Sequence, residues 1–315
     1  MIKNPSIWLI GPSDVAKDYL KVLYALKRPP VVIGRSKRTS ELFSNQTGIE
    51  VVPGGVVSAL KSLEKPDIAI VTVGRENLDK VALDLVNFGV KRILLEKPGG
   101  LKLQNLKKLE RRAISNKISI HIAYNRRFYQ SVLNLKKMIL KEGGPVTCHF
   151  DFSERSKIVE KLNKEKIIKE RWLLSNSSHV IDLFIHLCGY PEKLASNNSG
   201  SLSWHSSSQN FSGSGITKDK VLFSYNSNWL SPGSWSLELT SKKRRYLLKP
   251  LETLNIMESN YIFKPKSIRS ELDIQYKPGF YLQIKKYLEE DLEEFCDLES
   301  HLLNFKIYNK IASYK

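Results

Sequence analysis

Arg92-Ile93-Leu94-Leu95-Glu96-Lys97-Pro98-Gly99-Gly100 is an apolar strand that runs into a charged pair and is stopped by proline. The pattern puts Lys97 at the carboxyl end of the strand. In a parallel sheet covered by helices, that end opens into the crevice where ligands bind, so the ammonium would face a cofactor rather than bulk water. A cation there can stabilise a developing alkoxide. The other reading of Glu96-Lys97 is a solvated ion pair closing an ordinary strand.

The segments around this strand repeat its type. Ile7 to Ile10 reads as a buried strand, followed by the turn Gly11-Pro12-Ser13-Asp14-Val15-Ala16 and a helical stripe through Tyr19, Val22, Leu23 and Leu26. The dinucleotide fingerprint asks for glycine at the tight turn, glycine where backbone approaches pyrophosphate, and a small residue for helix packing. Gly11, Ser13 and Ala16 hold those places. Ser13 departs from the pattern, though a hydroxyl at a helix N-terminus can still bond phosphate; a purely structural turn is the alternative.

Val31-Val32-Ile33 is a second strand, and its carboxyl end is where an acidic residue would hold the ribose hydroxyls of NAD. Gly34-Arg35-Ser36-Lys37-Arg38 stands there instead. Cations and a hydroxyl suit a ribose 2′-phosphate, so NADP is expected, with NAD as the alternative cofactor. A merely basic surface turn would look the same. Ile68 to Val73 is another buried strand, with Thr72 and Val73 at its end and a helix through Leu78, Val81, Ala82, Leu85 and Val86 behind it. A helix from Leu101 to Asn116 and a strand from Ile118 to Tyr124 follow the Lys97 strand. The alternation predicts a doubly wound parallel sheet.

The 315 residues suggest two domains, and 41% hydrophobic with 26% charged residues is a soluble composition. No apolar run approaches the roughly 20 residues of a bilayer span, so no membrane association is expected. Met1 to Pro5 lacks a signal-peptide stretch, which points to the cytoplasm. Cys148, Cys188 and Cys296 form no C-x-x-C pair and are expected as reduced core residues. The net charge of +18 favours anionic partners, yet the basic residues are spread over the chain without a nucleic-acid-binding motif. A phosphorylated small molecule is the expected anion, and nucleic acid is not.

After Asn125-Arg126-Arg127-Phe128 the pattern changes. Val146, Cys148, Phe150 and Phe152 alternate with polar residues, as do Val221, Phe223 and Tyr225, and Trp235, Leu237 and Leu239. An open, mostly antiparallel sheet in an α+β domain is predicted, with the domains at 1–123 and 124–315. Asn197 to Gly215 reads as short strands or loop in which Leu202 and Trp204 alternate with Ser203 and His205, and the tail from Tyr281 as a pair of helices.

Ser177 to Gly189 is the second informative stretch. On a helix, His179, Asp182 and His186 stand at i, i+3 and i+7 on one face of an otherwise apolar segment. The carboxylate could orient an imidazole or pair with a lysine from elsewhere. The same groups could hold a metal, but no clear fourth ligand accompanies them, and no metal is expected.

Gly11 with Ala16, Glu96-Lys97-Pro98, Tyr124-Asn125-Arg126-Arg127-Phe128 and His179-x-x-Asp182-x-x-x-His186 together resemble the Gfo/Idh/MocA family of NAD(P)-dependent oxidoreductases, which act on sugars, inositols and related polyols. The resemblance runs from the start of the chain to about Gly189; Ser13, and Gly74-Arg75 where the family usually has Pro-Asn, depart from it. It implies a Rossmann domain followed by a substrate-binding and oligomerisation domain, and a homodimer or homotetramer. It implies that Lys97 is the catalytic lysine, His186 the general acid or base, and Asp182 their support. Gly11, Ser13, Asp14, Val15, Arg35, Ser36, Arg38, Thr72, Val73 and Glu96 are the expected cofactor residues. Asn125, Arg126, Arg127 and His179, with Lys97, are the expected substrate residues, the two arginines suited to a phosphate or carboxylate on a nucleotide-activated or otherwise anionic sugar. The alternative function is a non-catalytic sensor of dinucleotide or sugar.

Overall fold

The structure is a computed structural model and describes residues 5–258, 262–266 and 270–314; the N-terminal stretch Met1 to Asn4, used above to expect the cytoplasm, lies outside them. The chain divides into two units, one of residues 1–124 and 280–302, the other of 125–279 and 303–315. The first boundary falls where the Asn125-Arg126-Arg127-Phe128 motif begins. The expectation that 124–315 forms one continuous domain is corrected: the tail re-enters the first unit before ending in the second.

In the first unit, strands β1 (Ile7–Ile10), β2 (Val31–Ile33), β3 (Val51–Val52), β4 (Ile68–Val71), β5 (Arg92–Glu96) and β6 (Ser119–Ala123) alternate with helices α1 (Asp14–Ala25), α2 (Lys37–Thr47), α3 (Gly55–Ser62), α4 (Leu78–Asn87) and α5 (Leu103–Ser115). The sheet order is β6-β5-β4-β1-β2-β3, all parallel, and Cys296–Asp297 adds a short antiparallel strand beside β6. β1 and β4 are buried along their whole length because helices cover both faces. The strand order reverses between β1 and β4, which opens a crevice at their carboxyl ends. The returning segment is packed in place: Phe280 lies on Tyr19 of α1 with centroids 5.0 Å apart, and Arg92 bonds Glu290 at 2.9 Å and the Tyr287 carbonyl.

The second unit holds helices α6 (Gln130–Leu140), α7 (Ser156–Lys161), α8 (Lys166–Glu170) and α9 (Ser178–Cys188), and strands β7 (Thr147–Asp151), β8 (Pro191–Ser199), β9 (Asn210–Thr217), β10 (Leu222–Asn228), β11 (Ser236–Thr240), β12 (Arg245–Leu248), β13 (Leu254–Met257) and β14 (Phe263–Lys266). They form one sheet in the order β14-β13-β12-β11-β7-β10-β9-β8, antiparallel except for the parallel pair β7 and β10. Period-two patterning gives it one buried face, on which α9 lies. Phe150 of β7 is stacked between Phe184 of α9 at 4.8 Å and Tyr225 of β10 at 5.2 Å. Truncating such a buried ring costs about 3–5 kcal/mol, so this stack fixes where α9 rests.

Asn197 to Gly215 resolves into the β8–β9 hairpin. The supposed alternation about Trp204 is a turn closed by a Leu202–His205 bridge, with both Trp204 and His205 buried. The three cysteines are buried, and none is in a disulfide among the described residues. The tail forms helices α11 (Phe280–Leu288) and α12 (Leu298–Ala312), preceded by the short helix α10 (Glu271–Gln275). No helix among the described residues is long and apolar enough to cross a membrane.

Candidate active site

A cavity of about 600 Å³ occupies the crevice of the first unit, at the carboxyl ends of β1, β2 and β4. Its floor is the turn after β1. Gly11 has φ +102, and a Cβ there would stand 2.7 Å from the Val73 backbone nitrogen, so only glycine lets the two strand ends approach. Thr72 locks that approach by donating its hydroxyl to the Gly11 carbonyl at 2.7 Å and the Ile10 carbonyl at 3.1 Å. The mouth is edged by Arg35 and Thr39 on one side and by Lys80 and Asp84 of α4 on the other. Partial burial raises the Asp84 carboxyl above its usual value, against the lowering effect of Lys80. Glycine at the tight turn and a cation beyond β2 fit a nicotinamide dinucleotide.

The expected cofactor residues separate into two groups. Gly11, Ser13, Arg35, Thr72 and Val73 line the cavity; Asp14, Val15, Ser36, Arg38 and Glu96 do not. The Ser13 hydroxyl donates to the Thr72 carbonyl at 2.9 Å and accepts from the Ala16 amide at 3.4 Å, so it caps α1 rather than offering its proton to a phosphate. Asp14 is turned to solvent and paired with Lys17 at 3.0 Å. Ser36 is the cap of α2, accepting from the Thr39 amide at 3.2 Å. Glu96 accepts from the buried Tyr19 hydroxyl at 2.8 Å; burial first, and then this carboxylate, hold the phenol well above its usual value. Sequence reading missed Gly54 and Gly55, which also line the cavity, Gly55 donating to the Gly34 carbonyl at 2.8 Å. The Pro53-Gly54-Gly55 run was the available signal.

Lys97 follows β5 directly and is buried, 8% exposed. The turn that carries it is closed by the Gly99 amide on the Glu96 carbonyl at 3.0 Å. His301 Nε2, in the first turn of α12, lies 2.9 Å from the Pro98 carbonyl.

In the second unit the motif residues form two clusters. In the interior, Arg127 bonds Asp182 through both Nε and Nη2, at 2.8 and 2.7 Å, and the Asn304 amide reaches the same carboxylate at 3.5 Å. Arg127 and Asp182 are 6% and 1% exposed. Arg127, expected to hold a substrate anion, is thus spent on a buried carboxylate, and Asp182 pairs with it rather than with His186. Asn125 is likewise structural, donating to the Pro278 carbonyl at 3.0 Å. The second cluster lies at the N-terminal end of α9. The His179 ring is 6.1 Å from that of Trp235, and the Arg126 guanidinium lies 4.7 Å over the same indole. Trp235 lines a cavity of about 340 Å³ with Trp172, Ser153, Glu154 and Arg155. Glu154 accepts from Ser177 at 2.7 Å and Asn176 at 3.0 Å, tying the segment before α9 to this wall. That segment, Leu173–Ser177, is a π-helical turn, a form that recurs at functional sites. His186 is in the last turn of α9, about 10 Å of helix rise from His179. Trp235 and Glu154 had no sequence signal beyond being polar or aromatic beside strand ends. Among the described residues, no three of His, Cys, Asp and Glu gather as metal ligands.

No family profile and no curated protein matches the chain by sequence. Solved structures match it over nearly its whole length. UDP-N-acetylglucosamine 3-dehydrogenase GnnA from Acidithiobacillus ferrooxidans aligns with TM-score 0.78 at 13% identity, over 98% of this chain and 97% of that one. The dehydrogenase MviM from Clostridium difficile gives 0.79 at 17% identity, over 99% and 100%. The WlbA dehydrogenase from Bordetella pertussis, in complex with NADH and UDP-GlcNAcA, gives 0.75 at 13% identity, over 99% and 96%. The resemblance carried by the motifs therefore extends to the fold: this chain is built as the Gfo/Idh/MocA-type NAD-binding oxidoreductases are.

Proposed function

We propose that the protein is an NADP-dependent oxidoreductase that moves a hydride between the nicotinamide and a secondary hydroxyl or ketone of a sugar, nucleotide-sugar or polyol. The observation that carries the reading is the cavity at the strand-order reversal, floored by Gly11 and edged by Arg35 in place of an acidic residue. NADP, when bound, supplies the hydride acceptor. The chain's own groups do the rest. Lys97, buried at the end of the strand beside β4, donates a hydrogen bond to the oxygen that becomes alkoxide. An imidazole of α9 takes the hydroxyl proton; in reverse it returns that proton to a keto-sugar. Between the two α9 histidines we assign His179, because it stands with Trp235 and Arg126 beside a cavity, whereas His186 is at the far end of the helix. Asp182 acts through Arg127 as a positioning residue rather than on substrate.

Arg126, with its guanidinium over the Trp235 ring beside the smaller cavity, is the cation we assign to a substrate anion. With the +18 charge and the UDP-sugar bound by the WlbA neighbour, it supports a nucleotide-activated sugar as the substrate class. A cytoplasmic homodimer or homotetramer is the assembly that goes with this reading.

The test is a fluorescence titration of the purified protein with NADPH and, in parallel, NADH. Tight NADPH binding is expected, followed by turnover in a screen of UDP-sugars. Binding of neither dinucleotide overturns the enzyme reading; binding of NADH alone overturns the role given to Arg35.

A further inference from the structure

We propose that His301 is a positioning residue for Lys97, acting through the carbonyl of Pro98; the inference rests on Lys97 being the alkoxide-stabilising group. A carbonyl oxygen only accepts, so the 2.9 Å contact requires the proton on His301 Nε2. The imidazole is completely buried, and its ring faces that of Tyr124 at 5.9 Å between centroids. It sits in the part of α12 that belongs to the first unit, as Lys97 does.

Pro98 has no amide proton to give, and the Gly99 amide on the Glu96 carbonyl is the closure across the lysine. Gly99 has φ +73, and a Cβ there would come within 2.9 Å of Ile122 and 3.6 Å of His301 Nε2. The backbone on the C-terminal side of Lys97 is therefore packed against the imidazole with no spare volume. The Pro98 carbonyl is one residue from the Lys97 Cα, so the His301 bond sets the direction from which the lysine side chain leaves the turn. The imidazole that bonds this turn comes from 203 residues further along the chain.

The test reads Lys97 directly and needs no substrate. The protein is acetylated with a limiting amount of acetic anhydride, and the labelling rate of each lysine is followed by mass spectrometry in the native chain, His301→Leu and His301→Gln. Lys107 and Lys108, exposed on α5, are the internal reference. Loss of the donor is expected to change the Lys97 rate at least fivefold while the reference lysines stay within twofold. Glutamine, whose amide reaches a similar distance and can donate, is expected to restore it. An unchanged Lys97 rate in a folded leucine variant overturns the proposal, as does a parallel rise at all lysines or a glutamine variant that behaves like leucine. If the leucine variant does not fold, His301→Asn, too short to reach Pro98, takes its place with the same outcomes. NADPH titration of the native chain keeps the two readings apart. A protein that binds no dinucleotide but shows the His301-dependent labelling overturns the enzyme reading and leaves the positioning bond standing.

Discussion

Arg127 closes two parallel bonds on Asp182, Nε to Oδ2 at 2.8 Å and Nη2 to Oδ1 at 2.7 Å, with both side chains almost fully out of water. A pair of this kind gains little over an apolar isostere but is costly to break on one side, because a buried charge is left uncompensated. Arg127→Met is expected to destabilise the second unit by about 3–5 kcal/mol in urea unfolding. Arg127→Lys should not restore it, since an ammonium cannot reproduce the planar fork. Arg127→Met with Asp182→Leu should cost less than Arg127→Met alone, a non-additivity that a double-mutant cycle reads directly.

Gly11→Ala forces a Cβ to within 2.7 Å of Val73 at a backbone φ of +102. About 1–3 kcal/mol of strain is expected. The displaced turn should also weaken NADPH, seen as a right-shifted fluorescence titration with a lower melting temperature.

Arg35 edges the crevice cavity, and Arg38, the second residue of α2, does not. Charge-assisted bonds to a 2′-phosphate are worth about 1.5–3 kcal/mol, or roughly 10- to 100-fold in Kd. Arg35→Ala should therefore weaken NADPH by that factor and leave NADH within twofold, while Arg38→Ala changes either by much less. Equal weakening of both dinucleotides by Arg35→Ala would show that the arginine does not read the phosphate.

A general base contributes about 10²- to 10⁴-fold to a proton-transfer step. On a sugar found by screening, His179→Gln should lose that factor in kcat, and His186→Gln should retain most of the activity. The opposite result would move the base to the C-terminal turn of α9.

Burial lowers the His205 pKa from 6.5 to about 4, against the raising effect of its bond to the Ser208 carbonyl. The ring donates Nδ1–H to that carbonyl at 2.7 Å and accepts from the Tyr314 hydroxyl at 2.8 Å, so it is held neutral. Above about pH 6.5 the imidazole is neutral folded and unfolded, and its stabilising bonds are intact. Below that, the unfolded chain takes up a proton that the folded chain refuses until about pH 4. Stability should thus fall as pH drops through this window, by about 3 kcal/mol in total. Urea midpoints at pH 7 and pH 5 check this, and His205→Gln should flatten the difference.

The parts of the fold that sequence patterning revealed are those with local causes. Alternating apolar strands and amphipathic helices announced the parallel sheet, and Gly11 and Lys97 could be placed because strand ends in such sheets are where ligands bind. Tertiary partners were not legible. Nothing near Asp182 in sequence says that Arg127, 55 residues earlier, takes both its oxygens. Ser13 was read as a weakened phosphate ligand because a cap and a ligand ask for the same hydroxyl; only the Thr72 carbonyl decides between them. The turn about Trp204 mimicked a strand because an aromatic cluster, including Trp229 stacked on Trp204 at 5.6 Å, buries its indole as a strand would.

The return of residues 280–302 to the first unit has a consequence for how the protein is made. A chain emerging from the ribosome folds its N-terminal portion first. Here the opening 124 residues emerge without Phe280 to cover Tyr19, without the strand beside β6 and without His301 under Pro98. The nascent sheet therefore waits, with part of its apolar surface bare, while more than 150 further residues are synthesised. A chaperone bound during that interval would meet the β6 edge and the outer face of α1, the surfaces that the returning segment later covers.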